Sequence, residues 1–182
     1  MSGAEQQERR LPEVRVGATP PGPLAISVVS RSLAAGPFQW AAFAAVAALA
    51  FAADQALKTL VPRSIALGDE ILVAGPFSLT HVRNSGIAFG LFPNWTSAIA
   101  AVTGLVVVAL LVHFARTGAG NPILPVALGL LAGGSASNLA DRVRLGYVTD
   151  YLHFEYWPSF NLADTFIVVG VACLLAAYTG VE

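Results

Sequence analysis

Apolar residues fill four long stretches of the chain, and polar residues gather between them. The stretches run from Phe38 to Leu60, from Trp95 to about Arg116, from Pro122 to about Asp141 and from Asp164 to about Gly180. Each is long enough to cross a bilayer as a helix, which takes roughly 17–25 residues. The pattern predicts a mainly α membrane protein with four transmembrane helices, over about 38–60, 95–116, 122–141 and 164–180. A cleaved signal peptide has a shorter apolar core and a small-residue cleavage site, so the first stretch reads as an uncleaved helix. Alanines at 41, 42, 44, 45, 47 and 48 suit close helix packing in lipid, as does Gly129-x-x-x-Gly133 in the third stretch.

The segment between the first two spans is different in kind. Pro62 is expected to end the first helix. Ile71 to Ala74 and Phe77 to Val82 read as short strands around the Gly75-Pro76 turn. They predict a small extracytoplasmic β-rich subdomain between helices 1 and 2. His81, in the second strand, reads as a surface or interfacial residue. Next comes Asn84-Ser85-Gly86-Ile87-Ala88-Phe89-Gly90, whose glycines let the backbone approach a ligand closely. The glycine-rich loop Thr117 to Asn121 is short, so spans two and three should form an antiparallel hairpin. Residues 1–36 are polar, with Pro20, Pro21 and Pro23 close together, and read as a disordered cytoplasmic tail. That leaves 37–182 as the four-span domain.

Composition agrees with the membrane reading. The chain of 182 residues is 55% hydrophobic and 12% charged, with a mean hydropathy of +0.67. An ordinary soluble domain is less apolar. A net charge of -1 gives no reason to expect nucleic-acid binding. The single cysteine, Cys173, sits in an apolar run and reads as a packing residue. Four spans put both termini on one side. Arg9, Arg10, Arg15, Arg31 and Arg116 would share that side, against Arg63, Arg83, Arg142 and Arg144 on the other. The positive-inside rule then favours cytoplasmic termini slightly, with both polar loops facing outward.

The candidate chemistry lies at the span ends. Gly146 to Asp164 carries two carboxylates, Asp150 and Asp164, and Asp164 opens the last apolar stretch. A carboxylate at the edge of a span is costly without a partner or a function. Two carboxylates brought together can divide the work of amide hydrolysis: the ionised member activates water and the protonated one polarises the carbonyl. Asn161, three residues before Asp164, reads as a helix N-cap. Asp164 then sits in the first helical turn, where the macrodipole and free backbone N–H groups favour negative charge. Asp150 lies among aromatic residues and is the candidate for the shared proton. Asp141 is its rival. Asn138, Asp141 and Arg142 share one helix face, and that company suits a permanently ionised structural carboxylate. Asp54 and Lys58 are spaced to pair on one face, either as an interfacial anchor or in support of the site. No serine-histidine-acid set or zinc motif is apparent, and no second histidine or cysteine stands near His81 at ligand spacing. Neither metal nor cofactor is expected. A small proton-coupled transporter using Asp54, Asp141 and Asp164 is the alternative, but these residues cluster at span ends rather than at the midplane, where transporter sites lie.

These polar residues fall into a family pattern. Asp54-Gln55-x-x-Lys58, Asn84-x-Gly86-x-Ala88-Phe89, Gly133-Gly134-x-x-x-Asn138-x-x-Asp141-Arg142, Tyr147-Val148-x-Asp150-Tyr151 and Phe160-Asn161-x-Ala163-Asp164 follow one another in order. The chain resembles the bacterial lipoprotein signal peptidases (signal peptidase II) from the first span to the fourth. The resemblance implies a membrane-embedded aspartic endopeptidase of the bacterial plasma membrane, its site facing outward among membrane lipids. Its substrates would be prolipoproteins with a diacylglyceryl-modified cysteine, cleaved just before that cysteine. The catalytic pair carries over onto Asp150 and Asp164. Asn84, Asn138, Arg142 and Asn161 carry over as residues lining the site, with Gly86, Asp141 and Asp54 in support.

Overall fold

The computed structural model describes residues 34–86, 95–118 and 120–179. The N-terminal tail up to position 33 lies outside them, as does the glycine loop from Ile87 to Gly90. Four helices and four strands follow in the order α1 (Pro37–Ser64), β1 (Glu70–Ala74), β2 (Phe77–Asn84), α2 (Thr96–Thr117), α3 (Leu124–Leu145), β3 (Val148–Phe154), β4 (Trp157–Phe160) and α4 (Leu162–Thr179). Three of these helices, α1, α2 and α4, are long and apolar enough to cross a membrane.

α3 is the central helix. Thirteen of its 22 residues are buried, against one in α2. Its glycines explain how neighbours reach it. A Cβ on Gly129 would meet Val46 at 2.9 Å, and one on Gly133 would meet Ala50 at 2.9 Å, both in α1. On another face Gly134 lies against Ala163 and Ile167 of α4, and Gly170 of α4 lies against Ala127 and Leu131 of α3. Small residues at matched positions let three backbones come close. Phe43, Phe114, Leu124, Leu128 and Leu131 fill the space at one end of the bundle. α3 is surrounded by protein, so it can carry Ser135, Ser137, Asn138 and Asp141 inward.

Pro62 does not end α1, which runs on to Ser64. The proline removes only the N–H that would bond the Lys58 carbonyl. Val61 and Ile65 are buried against Tyr151, and the Ile65 N–H closes the last turn on Val61 at 2.9 Å.

The sheet also differs from expectation. It is antiparallel in the order β1-β2-β3-β4, and half its strands come from between α3 and α4 rather than from between α1 and α2. β2 pairs Val82 with Asp150 and Asn84 with Val148. His81 is buried, not at the surface; its Nδ1 stands 3.0 Å from the Ile65 carbonyl at the end of α1. The sheet is thus fastened to the helix ends from which the candidate site residues project.

Candidate active site

Asp164 sits in the first turn of α4, and the local sequence explains why the helix starts there. The Asn161 side-chain oxygen accepts the Asp164 N–H at 3.0 Å, and the Asp164 carboxylate accepts the Asn161 N–H at 3.2 Å. This reciprocal capping box uses aspartate where glutamate is common. The other N–H groups of the turn are satisfied too. Leu162 donates to the Tyr151 hydroxyl at 3.0 Å, Ala163 to Asp54 at 3.0 Å, and Thr165 to the Asn161 carbonyl at 3.3 Å. The N–H groups expected to be free for Asp164 are therefore occupied. Its charge rests instead on the N–H of Asn161 and on the Asn138 amide, which donates at 2.7 Å.

Asp150 arrives from the sheet. Asn161 donates to one of its oxygens at 2.7 Å and Asn84 to the other at 2.9 Å. The Asn84 amide is itself oriented, because its oxygen accepts the Gly86 N–H at 3.0 Å. Burial pushes the Asp150 carboxyl up to about 7, against the opposing hydrogen bond from Asn84. Asn161 stands between the two aspartates, donating to one and capping the helix that carries the other. Asp150 and Asp164 line one cavity of about 460 Å³, with Asn84, Asn138 and Arg142 beside them. Arg142 donates to the carbonyls of Gly86 at 3.1 Å and Asn138 at 3.4 Å, and its buried Nε has no protein partner among the described residues.

Asp54 and Asp141 are not in this cavity. They hold Lys58 between them, at 2.7 and 3.0 Å. Asp141 forms no ion pair with Arg142; its further donors are Gln55 at 2.8 Å and the Thr149 N–H at 3.4 Å. Asp54 is fully buried and also accepts from Ser137 at 2.7 Å and Tyr151 at 3.0 Å. The third Lys58 contact is the Asn138 oxygen, at 2.8 Å. Sequence reasoning missed Ser137 and Tyr151. Tyr151 stood in the family motif without a role, and the signal for a polar partner was the charged pair at the end of an apolar run, which requires polar partners if buried. Among the described residues no three His, Cys, Asp or Glu side chains converge as a metal site.

A family model described as signal peptidase (SPase) II matches residues 46–179, a span that holds every residue of the site just described. The chain belongs to the signal peptidase II family. Named relatives agree. The lipoprotein signal peptidase of Pelotomaculum thermopropionicum is 44% identical over 132 residues, covering 72% of this chain and 86% of that one. The corresponding protein of Halothermothrix orenii is 40% identical over 123 residues, covering 67% and 84%. A solved bacterial membrane enzyme superposes with a TM-score of 0.73 at 26% identity, covering 77% of this chain and 88% of the other. This signal peptidase is thus an aspartic-type membrane peptidase, as its family is.

Proposed function

We propose that Asp150 and Asp164 are the catalytic pair by which this peptidase removes signal peptides from prolipoproteins, cutting before a diacylglyceryl-modified cysteine. The observation that carries the assignment is Asn161, which donates to Asp150 and caps the turn bearing Asp164. Asp164, in the first turn of α4 with a backbone N–H and the Asn138 amide donating to it, is the ionised member and takes a proton from the attacking water. Asp150, buried and holding its proton near neutrality, gives it to the scissile carbonyl oxygen. The tetrahedral intermediate then collapses: the C–N bond breaks, the new amine leaves with the proton held by Asp164, and one hydroxyl of the intermediate returns its proton to Asp150 as the carbonyl re-forms. Arg142, which lines the same cavity and keeps an unused Nε, binds a substrate carbonyl or lipid ester. Asp54 and Asp141 are structural, their charge balanced by Lys58. The same enclosure speaks against a transporter working through these two carboxylates.

α3 is proposed as a fourth span: at 22 residues it is long enough to cross, and its Ser135, Ser137, Asn138 and Asp141 are buried against protein, with Arg142 and Arg144 in its last turn. The sheet, the ends of α1 and α3 and the start of α4 then share the outer side, and both termini are cytoplasmic. Cleavage of a diacylglyceryl-modified prolipoprotein in detergent, beside the unmodified protein, tests the function. Release of the signal peptide from the modified protein alone is the expected result; release from neither overturns it.

A further inference from the structure

Two cavities meet at Asp150. The larger reaches the apolar face of α4 at Ile167 and Val168, and Val168 is an outward-facing residue of that helix. The smaller, about 240 Å³, extends toward β2 and the turn after it, bounded by Val82, Arg83 and Ser85. Asn84, Asp150, Pro158 and Ser159 line both. A peptide stretched across Asp150 therefore has an apolar compartment on one hand and a polar one on the other.

The substrate has the same asymmetry. On one side of the scissile bond lies an apolar signal segment. Beyond the lipidated cysteine on the other side, the chain continues into water. Arg83 gives the smaller cavity its character. Its guanidinium lies 4.8 Å from the centre of the Tyr147 ring, a stacking contact that fixes the fork while leaving its N–H groups available. It forms no ion pair among the described residues. Asp150, the other titratable residue lining this cavity, is already bonded to two amides.

We infer that the smaller cavity is a subsite for the residues following the new N-terminal cysteine, and that Arg83 selects an acidic side chain there. The inference rests on Asp150 as a catalytic residue. It adds a specificity determinant on the side of the site away from lipid.

The test uses the full chain in detergent and three lipidated prolipoproteins that differ only in the second residue after the cysteine: Glu, Gln or Lys. Cleavage of the Gln substrate reports the proposed function, independently of charge. The Glu:Lys ratio of kcat/KM within each enzyme reports the subsite. The unaltered enzyme should favour Glu by about threefold at low ionic strength, the scale of an exposed ion pair, and lose the preference in high salt. R83Q should bring the ratio to one, R83E should invert it, and R83K should retain part of it. A ratio near one in the unaltered enzyme, or one that R83Q and R83E leave unchanged, overturns the inference even where the Gln substrate is cut.

Discussion

Lys58 donates to the side-chain oxygen of Asn138 at 2.8 Å, and this contact decides which way the Asn138 amide faces. An ammonium can only donate. The Asn138 oxygen must therefore point at Lys58, and its NH2 at Asp164. Lys58→Met would leave Asp54 and Asp141 buried without their shared cation, at a cost on the order of 3–5 kcal/mol. Thermal or urea unfolding of the variant in detergent should show it, together with a loss of turnover. A variant as stable as the parent would mean that the buried network does not hold the site.

Gly134 sets the distance between α3 and α4. A Cβ there would stand 2.6 Å from the Ala163 carbonyl oxygen, one residue before Asp164. Gly134→Ala should push the two helices apart, cost about 1–3 kcal/mol through overpacking, and lower kcat by displacing Asp164. Gly104→Ala is the control, since its Cβ would meet only Leu139 at 3.9 Å. Comparing kcat and melting temperature for the two variants checks the claim, and equal effects would contradict it.

The Asp150 carboxyl, raised by burial from 3.8 to about 7, makes two statements about pH. As the proposed proton donor, it should lose activity as the pH rises through about 7. The folded protein holds this proton over a range where the unfolded chain has released it. Its contribution to stability is therefore complete below the ordinary carboxylate value and is lost as the pH climbs to about 7. Asp150→Asn should abolish that part of the stability profile. Unfolding measured between pH 4 and 8 on both proteins decides it; an unchanged slope would place the titration elsewhere.

Orientation is open to labelling. Tyr156, at the tip of the β3–β4 hairpin, is 94% exposed, and Gly120 is exposed in the α2–α3 connection. With outward-facing strands, a membrane-impermeant thiol reagent applied to intact cells should modify Tyr156→Cys and spare Gly120→Cys. The reverse pattern would invert the topology.

What the sequence showed, and what it hid, follows from local chemistry. The helix start at α4 was legible because Asn161 and Asp164 form a cap pattern immediately before an apolar run. The first hairpin was legible from Gly75 and Pro76. The second was not. Its turn places Tyr156 at φ 70, where glycine or asparagine would have been the signal. The residues from Val148 to Tyr151 are all buried, so β3 shows no alternation. The partnership of Asp54 and Lys58 was visible in their spacing. Its burial was not, because a proline at 62 marks a helix end close to the pair. The real end lies beyond it, and the pair faces Ser137, Asn138 and Tyr151, residues remote in sequence.

The central claim is that Asp150 and Asp164 act as one unit while Asp141 belongs to the structural network. Single-turnover cleavage of a lipidated prolipoprotein by folded Asp150→Asn, Asp164→Asn, the double variant and Asp141→Asn tests it most directly. Each variant of the pair should abolish turnover while still binding substrate. The double variant should be no worse than either, because residues acting together are not additive. Asp141→Asn should lose stability and keep measurable turnover. An active Asp150→Asn enzyme beside an inactive, well-folded Asp141→Asn enzyme would contradict the account.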